Sequence, residues 1–251
     1  MRAGCVVSRL SAWAAWARQG PPEPPLLASR RRDTVIAAVA AVLTAVAFAA
    51  AGDGSVLAHI QRLDDSWLRL MISGRTAPVT VLAKVFNVLG LVYVTLPVRV
   101  AVLGYLGYRR RWWRLAAFGS AVLLSEILIG LLKGVYNRAR PPGSLVATSG
   151  ASFPSGHSIA ASVTVLAMVI VLVSPGRHRV AWAVSAVTFA VTMALSRAYL
   201  GAHWLSDAIA GLLLGTTCAL VAAVAVDEVQ RRRSRPATPT PPRSVPSGDR
   251  A

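Results

Sequence analysis

Three things are scarce in this 251-residue chain: acidic side chains, lysine and cysteine. Asp and Glu together number 10, and charged residues of both signs make up 15% of the chain, too few for an ordinary water-soluble surface. The only lysines are Lys84 and Lys133, so the formal charge of +17 is carried almost wholly by arginine. A basic balance can signal nucleic acid, but here the arginines cluster beside apolar runs, where orientation in a bilayer explains them without such a partner. Cys5 and Cys218 lie near opposite ends of the chain, which excludes a disulfide framework.

What is abundant is apolar sequence, 55% of the residues, with a mean hydropathy of +0.54. A membrane helix needs roughly 17 to 25 mostly apolar residues. Six stretches meet or approach that length, at 34–52, 79–107, 113–132, 157–174, 180–196 and 204–226. The expected fold is therefore all-α, a polytopic membrane protein with six transmembrane helices. Pro97 is the expected kink in the long second stretch. Residues 1–33 form an N-terminal cytoplasmic segment in this reading, with Trp13, Trp16 and a Pro-rich patch at 21–25. Residues 34–228 form the transmembrane domain, and the Arg/Pro-rich tail 229–251 has almost nothing apolar to bury and reads as disordered.

Arginine clusters at 30–32, 109–114, 177–179 and 231–233 fall on one side of six spans, which predicts that both termini are cytoplasmic. Two loops break the pattern: 133–156 carries Lys133, Arg138 and Arg140, and 197–203 carries Arg197, yet both emerge outside. Cations placed against the topology signal need another reason. Between the first two spans, Val56, Ile60, Leu63, Trp67 and Leu70 recur at helical spacing, with His59, Arg62, Asp64, Asp65 and Arg69 on the other faces. That pattern predicts an amphipathic helix in the outer interface, a packing element more than a catalytic one.

On the same outer face the topology gathers "KGVYNRARP" (133–141), "PSGH" (154–157) and "SRAYLGAHWLSD" (196–207). His203 and Asp207 stand four apart at the start of the last helix, so one helical face carries both. A carboxylate there can fix the imidazole tautomer and leave the other ring nitrogen as a nucleophile. Such a pair alone is as well explained by a structural hydrogen bond. Lys133, Arg140 and Arg197 tip the balance, because three gathered cations repel unless an anion joins them, and planar guanidinium forks match phosphate oxygens. Ser155 and Gly156 then supply a hydroxyl and a helix-start amide for that anion, and His157 can protonate a leaving oxygen. A two-histidine, one-carboxylate metal site made of His157, His203 and Asp207 is the competing geometry, and the surrounding cations weigh against a bound divalent ion.

Lys133 with Arg140–Pro141 after six residues, then Pro154–Ser155–Gly156–His157, then Ser196–Arg197 with His203 after five residues and Asp207 after three more, resembles the three-part signature of the phosphatidic-acid phosphatase type 2 family, whose wider superfamily includes polyprenyl-diphosphate phosphatases and, more distantly, vanadium-dependent haloperoxidases. The resemblance covers residues 133–207. It implies the helical core shared by acid phosphatases and vanadium haloperoxidases, and hydrolysis through a phosphohistidine with no metal or other cofactor. His203 is then the nucleophile, Asp207 its orienting carboxylate and His157 the general acid. Lys133, Arg140, Arg197, Ser155 and the Gly156 amide hold the phosphoryl oxygens. The expected partners are the bilayer of a bacterial cell and a lipid phosphate, with polyprenyl diphosphate, phosphatidylglycerophosphate and phosphatidate as leading substrates. Two other readings use the same cations: a lipid transporter or binding protein without turnover, and a vanadate-dependent haloperoxidase. Glu126, seven residues before Lys133 within an apolar stretch, either supports the cationic site or bonds a neighbouring helix. Lys84 and Asn87, near the outer end of the second stretch, pose the same choice, with simple bonding between helices the favoured reading. Gly201, Gly211 and Gly215 are expected at a tight turn and at helix contacts.

Overall fold

The computed structural model describes residue 23 and residues 25–234, and the features expected of Cys5, Trp13, Trp16 and residues 235–251 lie outside them. Among the described residues there are eight helices and no strand: α1 (Arg30–Gly52), α2 (Gly54–Ser73), α3 (Ala77–Leu89), α4 (Val92–Tyr108), α5 (Trp112–Tyr136), α6 (Gly156–Leu172), α7 (Arg177–Tyr199) and α8 (Leu205–Ser234). The helical body begins at Arg30 and runs to Ser234, past the expected limits of 34 and 228 at both ends.

Helices α1, α5, α7 and α8 are each long and apolar enough to cross a membrane. Helices α3 and α4 make a fifth if the pair, bent by 51°, is one span. The bend falls at Gly90, not at Pro97 as the sequence suggested. A Cβ on Gly90 would stand 2.3 Å from Cδ2 of His157, so the missing side chain lets that ring press against the break. Pro97 sits inside α4 instead. The sixth expected stretch is α6, apolar but only 17 residues, or about 25 Å at a rise of 1.5 Å per residue.

Helix α6 is the centre of the bundle and packs most extensively on α8 and α7. Small residues allow the close approach. A Cβ on Gly211 would meet the carbonyl oxygen of Ser155 at 2.6 Å, and one on Gly215 would meet Oγ of Ser162 at 2.1 Å and the carbonyl of Ile159 at 2.6 Å. Phe118, Phe153, Ile159 and Val163 fill the adjoining core. The outside is apolar as well: Val39, Val42 and Val46 of α1 and Val180 and Val184 of α7 are exposed, while Asp64, Arg99, Arg197 and Asp207 are buried. Apolar outside and ionic inside is the arrangement an integral membrane protein needs.

Asp53 caps α2, its carboxylate accepting the backbone N–H groups of Ser55 and Val56. Leu63 and Leu70 of the helix's apolar stripe are exposed, as are His59, Arg62 and Arg69, while Asp64, 2% exposed, and Leu68 turn inward.

Candidate active site

Each sequence cluster reaches the same end of the bundle because of how its helix starts or stops. Lys133 lies in the last turn of α5, which Asn137 ends in a left-handed conformation at φ 36°, and the chain then leads through Arg138 and Arg140. Ser155, Gly156 and His157 form the N-terminus of α6, Arg197 ends α7, and Gly201, at φ 68°, turns the chain into His203 and the first turn of α8 with Asp207. The amide of Ser155 donates to the carbonyl of Asp207 at 3.1 Å, which pins the α6 start to the α8 start.

The eight residues expected from the sequence converge. Nη1 of Arg140 lies 3.2 Å from Nε2 of His203. A guanidinium only donates, so Nε2 carries the lone pair and Nδ1 the hydrogen. Nδ1 faces Oγ of Ser152 at 3.4 Å, and that hydroxyl donates in a short bond to Oδ2 of Asp207. His203 and Asp207 are themselves 3.8 Å apart, so Ser152 bridges the pair. Burial pushes the imidazole of His203 down to about 4; Asp207 pulls it up, and Arg140 and Arg197 push it down further. His203 is therefore neutral at physiological pH.

Arg140 is fixed by carbonyls, donating to Ser149 at 2.7 Å, Gly150 at 2.9 Å and Ala202 at 2.7 Å. Both Lys133 and Arg197 feel its charge. Arg197, 2% exposed, donates to Oδ1 of Asn87 and keeps a buried Nε with no acceptor. The His157 ring bonds the backbone of Asn87 and leaves a buried Nε2 unpartnered, within electrostatic reach of Arg197, His203 and Lys133. Lys133 and Arg140 are half-buried and form the mouth, with Arg197 and His203 as the floor. Ser155 is fully buried, and its hydroxyl accepts from Ser158 at 3.0 Å. Gly156 opens α6, where the first amides have no intrahelical acceptor.

Four supporting residues went unassigned in the sequence. Nη1 of Arg138 donates to Oδ1 of Asp207 at 2.6 Å and its Nη2 to Oδ2 of Asp64 at 2.8 Å. Arg138 carried a signal, being a cation in a loop that the charge rule expects to be poor in them. Asp64 and Ser152 carried none, since each is far in sequence from what it touches; Asn87, a polar residue in an apolar stretch, carried one, and it supports the cationic site by accepting from Arg197. Oδ2 of Asp207 also accepts the amide of Trp204 at 3.0 Å, as an N3 carboxylate reaching back to an N-cap does. With both oxygens so engaged, Asp207 is poorly placed as a metal ligand, and no group of three or more His, Cys, Asp or Glu gathers among the described residues. Glu126 pairs with Arg99 of α4 at 2.6 Å, which selects the helix-bonding reading for it.

An apolar helical bundle that gathers two imidazoles, a buried aspartate and converging guanidiniums at one end defines a class, an integral membrane protein with a histidine cluster ringed by cations. The sequence profile of the PAP2 superfamily matches residues 114–231, just under half of the chain. It is 36% identical over 120 residues to phosphatidylglycerophosphatase B of Bacillus subtilis, a match covering 45% of this chain and 57% of that protein. It is 33% identical over 123 residues to a lipid A 1-phosphatase of Rhizobium etli, covering 45% of this chain and 50% of that one. The chain thus spans little more than half the length of these curated relatives. A crystal structure of a transmembrane PAP2-type phosphatidylglycerolphosphate phosphatase from Bacillus subtilis shares the fold, with a TM-score of 0.61 at 24% identity, covering 79% of this chain and 97% of that one.

Proposed function

We propose that this protein is a lipid phosphatase that hydrolyses a phosphomonoester or diphosphate of a membrane lipid through a phosphohistidine, without a metal ion. The carrying observation is the aim of His203: its lone-pair nitrogen faces Arg140 at 3.2 Å, at the point where the charges of Lys133, Arg140 and Arg197 meet. A phosphoryl group seated among those cations brings its phosphorus to Nε2 and takes over the Arg140 hydrogen bond. Nε2 attacks, the P–O bond to the lipid breaks, and the leaving oxygen takes from Nε2 of His157 a proton which that ring received from the phosphate monoanion as it bound. His157 then accepts a proton from water, whose oxygen attacks the phosphohistidine and releases phosphate and neutral His203. Cations fixed before the reaction stabilise the charge that grows on the phosphoryl oxygens. The hydrogen-bonded line from Nδ1 of His203 through Ser152 to Asp207 holds the tautomer.

In this reading α6 is a sixth crossing, both termini are cytoplasmic, and the site opens outside a bacterial cell membrane, where a headgroup reaches it while its tails stay among the helices. Similarity to a phosphatidylglycerophosphatase and a lipid A 1-phosphatase favours phosphatidylglycerophosphate and lipid A-type phosphates within that class. A phosphate-release panel of isoprenoid and glycerol lipid phosphates in mixed micelles tests the proposal. Release from at least one lipid is expected, together with an acid-labile phosphoryl label on the quenched wild-type chain that His203→Ala lacks. Lipid flux across liposomes with no phosphate release would establish the transporter reading instead, and vanadate-dependent halide oxidation the haloperoxidase one.

A further inference from the structure

At the opposite end of α5 from Lys133 lies a cavity of about 630 Å³ between the C-terminal turn of α4, the start of α5 and the end of α6. Arg109, Arg111 and Arg114 line its polar side, Val102, Leu106 and Val171 its apolar side, and among the described residues no acidic side chain lines it. From Arg114 to Lys133 the helix rises about 28 Å at 1.5 Å per residue, so this is not the site described above.

Arginines that only set orientation in a bilayer remain solvated. Arg114 is 6% exposed; Nη1 donates to the carbonyl of Val171 at 2.7 Å, and Nε, buried, meets no hydrogen-bond acceptor. The charge of Arg111 acts directly on it. Glu23, 3.9 Å from that Nε, answers one of the three positive charges and also accepts the amide of Trp113 at 3.1 Å. The depth is that of lipid headgroups, because Tyr105 in the lining, and Tyr108 and Trp112 next to lining residues in the chain, are exposed, as aromatic rings at a membrane boundary are.

We propose that this cavity is a binding site for the phosphate headgroup of an anionic phospholipid, with an acyl chain running along the apolar wall of α4 and α6. Guanidinium forks supply the charge-assisted hydrogen bonds that a phosphodiester accepts, and the apolar wall distinguishes a resident lipid from a soluble anion. The site acts on no bond; it ties the α4–α5 corner to the leaflet facing away from the candidate active site.

Native mass spectrometry of the full chain in neutral detergent tests this with mixed phosphatidylglycerol and phosphatidylcholine. The wild type is expected to retain one phosphatidylglycerol in preference to phosphatidylcholine, and Arg109→Gln with Arg111→Gln to lose that preference by roughly tenfold or more. Lys133→Gln, in the candidate active site, and the pair Arg177→Gln with Arg232→Gln, on the same side as the cavity, are expected to keep it. Should the double variant not extract folded, the exposed Arg109→Gln alone is expected to lose roughly threefold. The proposal is overturned by a preference indifferent to Arg109 and Arg111, by equal loss in the Arg177 and Arg232 pair, or by displacement with millimolar inorganic phosphate, which would make it a free-anion site.

Discussion

Arg138 joins two buried carboxylates, donating to Asp207 at 2.6 Å and to Asp64 at 2.8 Å, so amphipathic helix α2 is wired to the aspartate behind the candidate nucleophile. Ser206 completes the connection, its amide donating to Asp64 at 2.9 Å. Arg138→Ala strands both carboxylates without a counter-charge, and removing one partner of a buried pair costs about 3–5 kcal/mol. The expected result is a lower unfolding temperature together with loss of turnover. Asp64→Asn retains the Arg138–Asp207 bond and is expected to cost less stability while lowering kcat more than it raises KM. Wild-type kcat in Asp64→Asn would sever the proposed link between α2 and the site.

The pH dependence follows from His203. Its pKa is depressed to about 4 in the folded chain, against about 6.5 when unfolded. Between those values the unfolded state binds a proton that the native state refuses, so stability is full above about pH 6.5 and falls as the pH drops toward 4. The nucleophile also stays neutral down to about pH 4, so this residue sets the acid limb of kcat/KM there. Thermal unfolding from pH 4 to 8 should show the slope in the wild type and a weaker one in His203→Gln. A stability curve of His203→Gln superimposable on the wild type would contradict the assignment.

Close approach of α8 to α6 gives a prediction about packing. Gly211→Ala places a methyl 2.6 Å from the carbonyl oxygen of Ser155, which is backbone and cannot swing aside. The cost is about 1–3 kcal/mol. Because Ser155 adjoins Gly156 and His157, activity should fall further in Gly211→Ala than in Gly215→Ala, whose clash lies a turn deeper. Equal activity in the two variants would show that the α6 start is not held by this contact.

Metal independence is checked directly. Asp207 is occupied by Arg138, Ser152 and the Trp204 amide, and Arg140 stands at the Nε2 face of His203. Excess chelator is therefore expected to leave phosphate release unchanged in a dialysed preparation. Activity that disappears with chelator and returns with a divalent cation would sink the metal-free mechanism.

Much of the site was readable before any coordinates because its chemistry is carried by residues that violate a local expectation. Lys133, Arg140 and Arg197 are cations in loops that the charge rule expects to be poor in them, and His203 and Asp207 lie one helical turn apart. Helix positions were equally readable, since runs of apolar residues advertise themselves. Gly90 did not, because its role is to leave room for a ring 67 residues away. The stripe of α2 was visible as a stripe, but that Asp64 turns inward depended on Arg138 and Ser206 lying there.

By itself the sequence determined that the chain is a bundle of apolar helices and which charged residues lie near their ends, because hydrophobic period and helix length are local quantities. Only the tertiary structure decided that Ser152 stands between His203 and Asp207, that Arg138 is shared with Asp64, that Asn87 holds both Arg197 and His157, and that Glu126 belongs to Arg99. Each is a pairing between distant segments, set by how helices pack and where their caps release the chain, and no local pattern encodes a partner across the bundle.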